Sequence, residues 1–199
     1  NAHGGGILTH DRAFYWFGEH KVEGDAGNYA QVGVHVYSSR DLVNWKDGGI
    51  ALPVSDDPKS EIVKGCIIER PKVIYNAKTK TFVMWFHLDK RNYGMARAAL
   101  AVSDKATGPY QYVGSFRPNQ GVLPLGLEPG AAPDPNRFKN RKKWPEVAVA
   151  GDFVRRDLEG GQMSRDMTLF VDDDRKGYLL SSGEDNLTLH LHELTDDYR

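Results

Sequence analysis

Apolar and aromatic runs alternate along this chain with short polar turns, and the alternation repeats. The first copy runs Gly6-Ile7-Leu8, turns at 9–12 and returns as Ala13-Phe14-Tyr15-Trp16-Phe17. The second runs Lys72-Val73-Ile74-Tyr75, turns at 76–80 and returns as Thr81-Phe82-Val83-Met84-Trp85-Phe86. The third runs Met167-Thr168-Leu169-Phe170-Val171, turns at 172–176 and returns as Gly177-Tyr178-Leu179-Leu180. Asn, Asp, Lys and Gly between β-branched and aromatic runs predict hairpins. A further strand follows each hairpin, at Gly33-Val34-His35-Val36-Tyr37, Ala98-Ala99-Leu100-Ala101-Val102 and Leu187-Thr188-Leu189-His190-Leu191.

Three to four strands recurring at a period of roughly 65 residues predict an all-β chain of propeller blades rather than a sandwich. The blades fall at about 1–58, 59–116 and 162–199, with a loop insertion at about 117–161 displacing the third copy. That insertion is rich in Pro, Gly and charge and reads mostly as loop. No segment sustains a 3.6-residue apolar period, and the alanine-rich stretch from Ala96 to Leu100 keeps the rhythm of a strand. The third copy stops short of an outermost strand. An open propeller exposes an unpaired edge, so either further polypeptide or a partner is expected to complete it.

Composition adds limits. The 199 residues are 40% hydrophobic and 27% charged, with a formal net charge of -1, which gives no broad attraction to nucleic acid or anionic membrane. Lys139, Arg141, Lys142 and Lys143 form a local basic cluster that reads as a solvated loop. No apolar stretch is long enough to span a bilayer, and none reads as a signal peptide. The opening Asn1-Ala2-His3-Gly4-Gly5-Gly6 reads as the middle of a structured segment, so a processed or trimmed N-terminus is expected. The single cysteine, Cys66, cannot form an internal disulfide, and its apolar setting predicts a buried structural thiol.

In a propeller the starts of the innermost strands converge on one pocket. Glu69 interrupts the apolar run Cys66-Ile67-Ile68 just before the second hairpin, where burial is expected to disfavour its ionised form. The alternative is an ion pair with Arg70 or Lys72, although Arg70 points to the opposite face of a strand. Asp166 opens the third hairpin in the same manner, or is a plain turn residue. Glu184 falls either at the pocket rim or in an exposed turn. Gly18-Glu19-His20-Lys21 holds the equivalent place in the first blade, and His3 precedes its first strand. Carboxylates and aromatics converging on one pocket suit carbohydrate, and a carboxylate pair can cleave a glycosidic bond.

Metal chemistry is weaker. His35 and the pair His190 and His192 lie on strands without clustered partners, and packed histidines are the simpler reading. Asp172-Asp173-Asp174 lacks the glycine and distal glutamate of an EF-hand and reads as a hairpin turn, so a structural calcium ion has no support. No cofactor is required. No nucleophile elbow, phosphate loop or dinucleotide fingerprint is present.

Several of these segments resemble glycoside hydrolase family 43: His3-Gly4-Gly5-Gly6-Ile7, Tyr15-Trp16-Phe17-Gly18-Glu19-His20, Ser38-Ser39-Arg40-Asp41-Leu42-Val43-Asn44-Trp45, Glu69-Arg70-Pro71-Lys72-Val73 and Ser164-Arg165-Asp166-Met167. The Glu-Arg-Pro-Lys-Val element points to the branch similar to exo-β-1,3-galactanases. The resemblance implies a five-bladed propeller of which the first three blades are present, and exo-acting, inverting release of galactose from β-1,3-galactan side chains of plant polysaccharides. It implies that Glu69 binds the terminal sugar and assists catalysis. It further implies that Asp166 tunes the acid, and that Glu19, Tyr93, Glu184 and His3 contact sugar. The family's aspartate base is missing at Ala2-His3-Gly4-Gly5, and its general acid lies beyond Arg199, in the blades expected to follow. Arabinofuranosidase or xylosidase activity, a catalytically silent sugar-binding propeller and a ligand-free scaffold are the competing readings. A polysaccharide substrate implies a secreted, periplasmic or cell-surface protein.

Overall fold

Among the described residues of this computed structural model, which are 1–131, 133–140 and 150–199, eleven strands form three antiparallel sheets. The first sheet contains β1 (His3–His10), β2 (Ala13–Glu19), β3 (Gly33–Ser39) and β4 (Lys46–Pro53), paired in that order. The second contains β5 (Ile67–Asn76), β6 (Thr81–Asp89), β7 (Arg97–Ser103) and β8 (Gln111–Phe116) in the same simple meander. The third has three strands, β9 (Met167–Val171), β10 (Gly177–Gly183) and β11 (Thr188–Glu193), in the order β11-β10-β9.

Turn chemistry sets the registers. Asp11 and Arg12 both take positive φ, 48° and 59°, the conformation a two-residue hairpin needs to match strand twist. Asn76 shapes the second hairpin by accepting from the backbone N–H of Lys78 (2.9 Å) and Thr79 (3.0 Å). The Asp172-Asp173-Asp174 run is the third hairpin turn, with Lys176 N–H donating to Asp174 Oδ1 at 2.9 Å. The Ser-Arg-Asp-Leu element is likewise a turn device: Asp41 accepts from Val43 N–H, Asn44 N–H and Ser39 Oγ. Those bonds hold its carboxyl well below the usual range.

The second sheet is packed on both faces, and β6 shows how one strand serves two cores. Met84, Phe86 and Leu88 face Leu8, Phe17, Val34 and Val36 of the first sheet. Val83 and Trp85 face Met167, Leu179 and Tyr198 of the third unit. A strand covered on both sides reads as a continuous apolar run, which is what Phe82 to Leu88 is apart from His87. The far face of the third sheet is open, with Phe170, Leu189 and Leu191 exposed. Phe170 pairs across to Tyr178, and Leu191 to Leu180, so the open face is a continuous apolar strip.

The insertion departs from expectation. It carries an α-helix, α1 (Ala150–Asp157), and a 3-10 turn at Pro135–Phe138. Two turns of helix are too short to show an apolar period in sequence, and Phe153 and Val154 acquire their meaning only by burial. Arg156 sits over Phe138 and Phe153 and pairs with Asp157 and Asp185, fastening the helix to the third sheet. The ends of the excursion meet, with Gln162 N–H bonded to Pro118 O at 2.7 Å. Arg141, Lys142 and Lys143 of the basic cluster lie outside the described residues. No helix among the described residues is long and apolar enough to cross a membrane.

Strands β1, β5 and β9 are the innermost of their sheets, and β5 packs between the other two. Because each hairpin is antiparallel, the starts of these strands meet the ends of β2, β6 and β10. His3, Glu19, Glu69, His87, Asp166 and Glu184 are thereby gathered at one end of the molecule.

Candidate functional site

Glu69 lies inside β5, at its first turn of pleat, rather than before the hairpin. A bulge follows it: the register slips between Glu69 and Lys72, and Arg70 takes φ 55°. Bulges re-aim side chains near sites. Glu69 is paired across the sheet with His87, and the two side chains meet, His87 Nδ1 lying 3.3 Å from Glu69 Oε2. The other ring nitrogen, Nε2, is 3.0 Å from Asp89 Oδ2. Asp89 is wholly buried and also accepts from the backbone N–H of Lys90, Met95 and Ala96 at 2.8, 2.8 and 3.0 Å. Those bonds fold the 90–96 loop, which brings the Tyr93 hydroxyl to donate to Glu69 Oε1 at 2.7 Å. Arg165 steadies the loop from the third sheet through Nη2 to Tyr93 O at 2.9 Å.

The electrostatics reverse one expectation. Burial pushes the Glu69 carboxyl up, but hydrogen bonds from His87 and Tyr93 outweigh it, and the net shift is downward. Glu69 is ionised. Burial opposes the charge on His87, yet Asp89 and Glu69 together raise its pKa above the ordinary value. Asp89 is lowered despite its burial by His87 and three backbone N–H groups. Burial and the adjacent Glu69 push the Tyr93 phenol up, so it remains a donor.

A second carboxylate stands beside the first. Glu19, at the end of β2, is almost fully buried and accepts from Arg70 N–H at 3.0 Å and Lys21 Nζ at 2.9 Å. His3 Nδ1 is 3.3 Å from Glu19 Oε2, and the His3 ring is otherwise open to solvent. Gly4 is required here, since a Cβ at φ 60° would stand 2.4 Å from Glu19 Oε1. Arg70 does not pair with Glu69. Its Nε donates to Asp166 Oδ1 at 3.0 Å, which makes Asp166 an exposed acceptor joined to the second sheet and not a plain turn residue. Lys72 runs under the site and donates to Gly4 O and Arg70 O at 3.1 and 3.3 Å. Burial and the neighbouring Arg70 push its ammonium down to about 8.

Glu184 answers neither expectation. It is fully buried, hydrogen-bonded to Thr188 and His190, and belongs to the packing of the third sheet rather than to a rim or an exposed turn. The reason is three successive residues at positive φ, Glu184, Asp185 and Asn186, which fold the segment back under β11. Cys66 is buried and its thiol is pushed up to about 12, as a structural cysteine should be. Sequence reasoning missed His87, Asp89 and Arg165, and Lys72, offered as an ion-pair partner of Glu69, bonds backbone carbonyls instead. Two polar residues inside the apolar run of β6 were the available signal.

A carboxyl held below its ordinary range by His87 and Tyr93 is suited to accepting hydrogen bonds rather than to donating a proton. Glu69, bonded to Tyr93, and Glu19 and Asp166, both bonded to Arg70, offer oxygen acceptors at one end of the sheets, a surface suited to a polyhydroxylated ligand. The chain matches no protein-family model and no curated protein. Among solved structures, it is similar over its entire length to a GH43 β-1,3-galactosidase bound to galactodeoxynojirimycin, with 55% identity and TM-score 0.92. An exo-β-1,3-galactanase from Clostridium thermocellum matches all of the chain at 42% identity and TM-score 0.74. One from Phanerochaete chrysosporium, solved with galactose, does so at 32% identity and TM-score 0.72. The chain spans 59% of the first of these and 35% and 36% of the other two.

Proposed function

Because this chain belongs to glycoside hydrolase family 43, we propose that it builds the sugar-binding side of a site that releases galactose from the end of β-1,3-galactan. The observation that carries the reading is Glu69: an ionised, partly accessible carboxylate held by His87 and Tyr93 at the convergence of three sheets. In this reading Glu69 and Glu19 accept hydrogen bonds from the hydroxyls of the terminal sugar. Tyr93 and His3 flank it, and Asp166 shapes the field around the reacting oxygen. The reaction is exo-acting and inverting, with water attacking opposite the leaving group.

The complete domain is proposed to be a five-bladed propeller. Two further blades would cover the apolar strip of Phe170, Leu189 and Leu191 on one side and the exposed Ile7 face of the first sheet on the other. The general acid would come from the blade that follows. A polymeric substrate of this kind is met outside the cytoplasm, and the protein is proposed to act there.

The test is galactose release from β-1,3-galactan by the full-length protein and its Glu69→Gln variant. Loss of turnover in a folded variant supports the enzyme reading. No galactose release by the wild-type protein sinks the enzyme reading, unchanged release by the variant removes Glu69 from the machinery, and sugar binding without release supports a binding module.

A further inference from the structure

Residues of the 90–97 segment, which presents Tyr93 to Glu69, also wall a cavity. This cavity has a volume of about 630 Å3, within the range of roughly 300–1,000 Å3 usual for ligand pockets. Its opposite wall is the 58–66 loop that leads into β5. Five cations line it: Lys59, Lys64, Lys90, Arg91 and Arg97. Among the described residues, only Arg97 has a carboxylate partner, its Nη1 lying 2.6 Å from Glu61 Oε1. The other oxygen of Glu61 is taken by the Tyr112 hydroxyl at 2.6 Å and Ser115 Oγ at 3.1 Å. Among the described residues, no carboxylate stands within 4.0 Å of the charged groups of Lys59, Lys64, Lys90 or Arg91.

Arg91 is also set in place. Its guanidinium lies 4.5 Å over the Tyr29 ring, an arrangement that fixes the plane of the fork. Gly65, at φ 91°, makes room for it, because a Cβ there would come within 3.2 Å of Arg91 Nη2. Lysines scattered on a convex face are simply solvated. Four unneutralised cations around a concavity focus a positive field into it.

We infer that this cavity is a subsite for an acidic sugar, a uronate carried as a branch on the polysaccharide. A planar carboxylate matches the guanidinium fork of Arg91 in two parallel hydrogen bonds, with Lys64 and Lys90 closing from the two walls. The inference rests on the galactan reading for its setting. Arg91 and Tyr93 are two residues apart, at most about 7 Å of backbone, so a branch on a chain held at Glu69 is within reach.

Calorimetry on the full chain separates the two ideas. The probes are methyl β-glucuronide, a sulfated monosaccharide and neutral β-1,3-galactobiose, each at low and high salt. Methyl glucuronide is expected to bind with an affinity that falls at high salt, and more tightly than the sulfated sugar, because a carboxylate is a stronger hydrogen-bond acceptor than a sulfate ester. Lys64→Met, which leaves the Tyr93 loop untouched, should weaken it about tenfold, and Arg91→Met at least as much. Galactobiose binding should be unchanged in both variants. Galactobiose binding without glucuronide binding overturns the subsite and leaves the galactan reading standing. Glucuronide binding without galactobiose does the reverse. Binding of neither, or equal loss of both in Lys64→Met, overturns the subsite. Tighter binding of the sulfated sugar reassigns the cavity to sulfate esters and overturns the uronate assignment.

Discussion

His87 stands 3.3 Å from the Glu69 carboxylate while its own ring is 1% exposed, so the charge of Glu69 is set from behind by a residue solvent does not reach. The opposite ring nitrogen is held by Asp89, which is itself fixed by three backbone N–H groups. The position of one carboxylate thus depends on the folding of the following loop.

Replacing His87 by Gln is expected to destabilise the chain by about 3 kcal/mol, since it takes from buried Asp89 its nearest cation and leaves Arg165 Nη1, at 3.9 Å, as the remaining one. It should also move the protonation of Glu69 to higher pH, and with it the acid limb of ligand binding. The pH dependence has a definite sign. His87 has a raised pKa in the fold, so its contribution is complete below about 6.5 and is lost as pH rises through the raised value. Asp89 is lowered, so its contribution is present above its ordinary value near 3.9 and is lost as pH falls through the lowered one. Urea midpoints of wild type and His87→Gln across pH should differ most between those limits. A constant difference would contradict the coupling.

Asp166→Asn separates function from stability. The Arg70–Asp166 pair is exposed on both sides, and such pairs contribute about 0.2–1 kcal/mol. The melting temperature should therefore barely change. If Asp166 shapes the reaction field, galactose release by the full-length protein should fall by about tenfold or more. A variant with full activity would remove Asp166 from the site.

Gly5→Ala should be costly although the position carries no chemistry. A Cβ there would lie 1.7 Å from Phe17 O, inside the β1–β2 hairpin. The strands would have to separate, at about 2–3 kcal/mol. Thermal unfolding measures it, and a loss below half of that range would show that the hairpin can relax.

His192 reports on the third sheet. Burial, followed by the nearby His190, pushes its pKa down to about 4. The unfolded chain takes up this proton near 6.5 and the fold does not, so stability should decline as pH falls from about 6.5 to 4. A ring-proton titration by NMR midway between these limits or higher would count against the burial.

Much of the molecule was legible in the order of residues. The apolar and aromatic runs of β2, β6 and β10, and turn chemistry at Asp11-Arg12, Asn76 and Asp172, are local properties, and local properties survive in sequence. The carboxylates Glu69 and Asp166 stood out because each interrupts or opens an apolar run. His87 and Asp89 were overlooked because a polar residue within a run has no visible partner until strands pair. Glu184 was misplaced because three consecutive left-handed residues reverse the chain in a way no pattern of polarity encodes.

The sequence by itself determined an all-β chain of repeated hairpins, the turns that close them, and the set of carboxylates available for a sugar site. Tertiary structure decided which carboxylates meet and which are charged. Strand alternation already set Arg70 away from Glu69, and the tertiary structure supplied its partner in Asp166, 96 positions on. It lowered Glu69 where burial alone would have raised it. Both outcomes come from groups remote in sequence, and hydrogen bonding across sheets is strong enough to overturn what burial and adjacency would give.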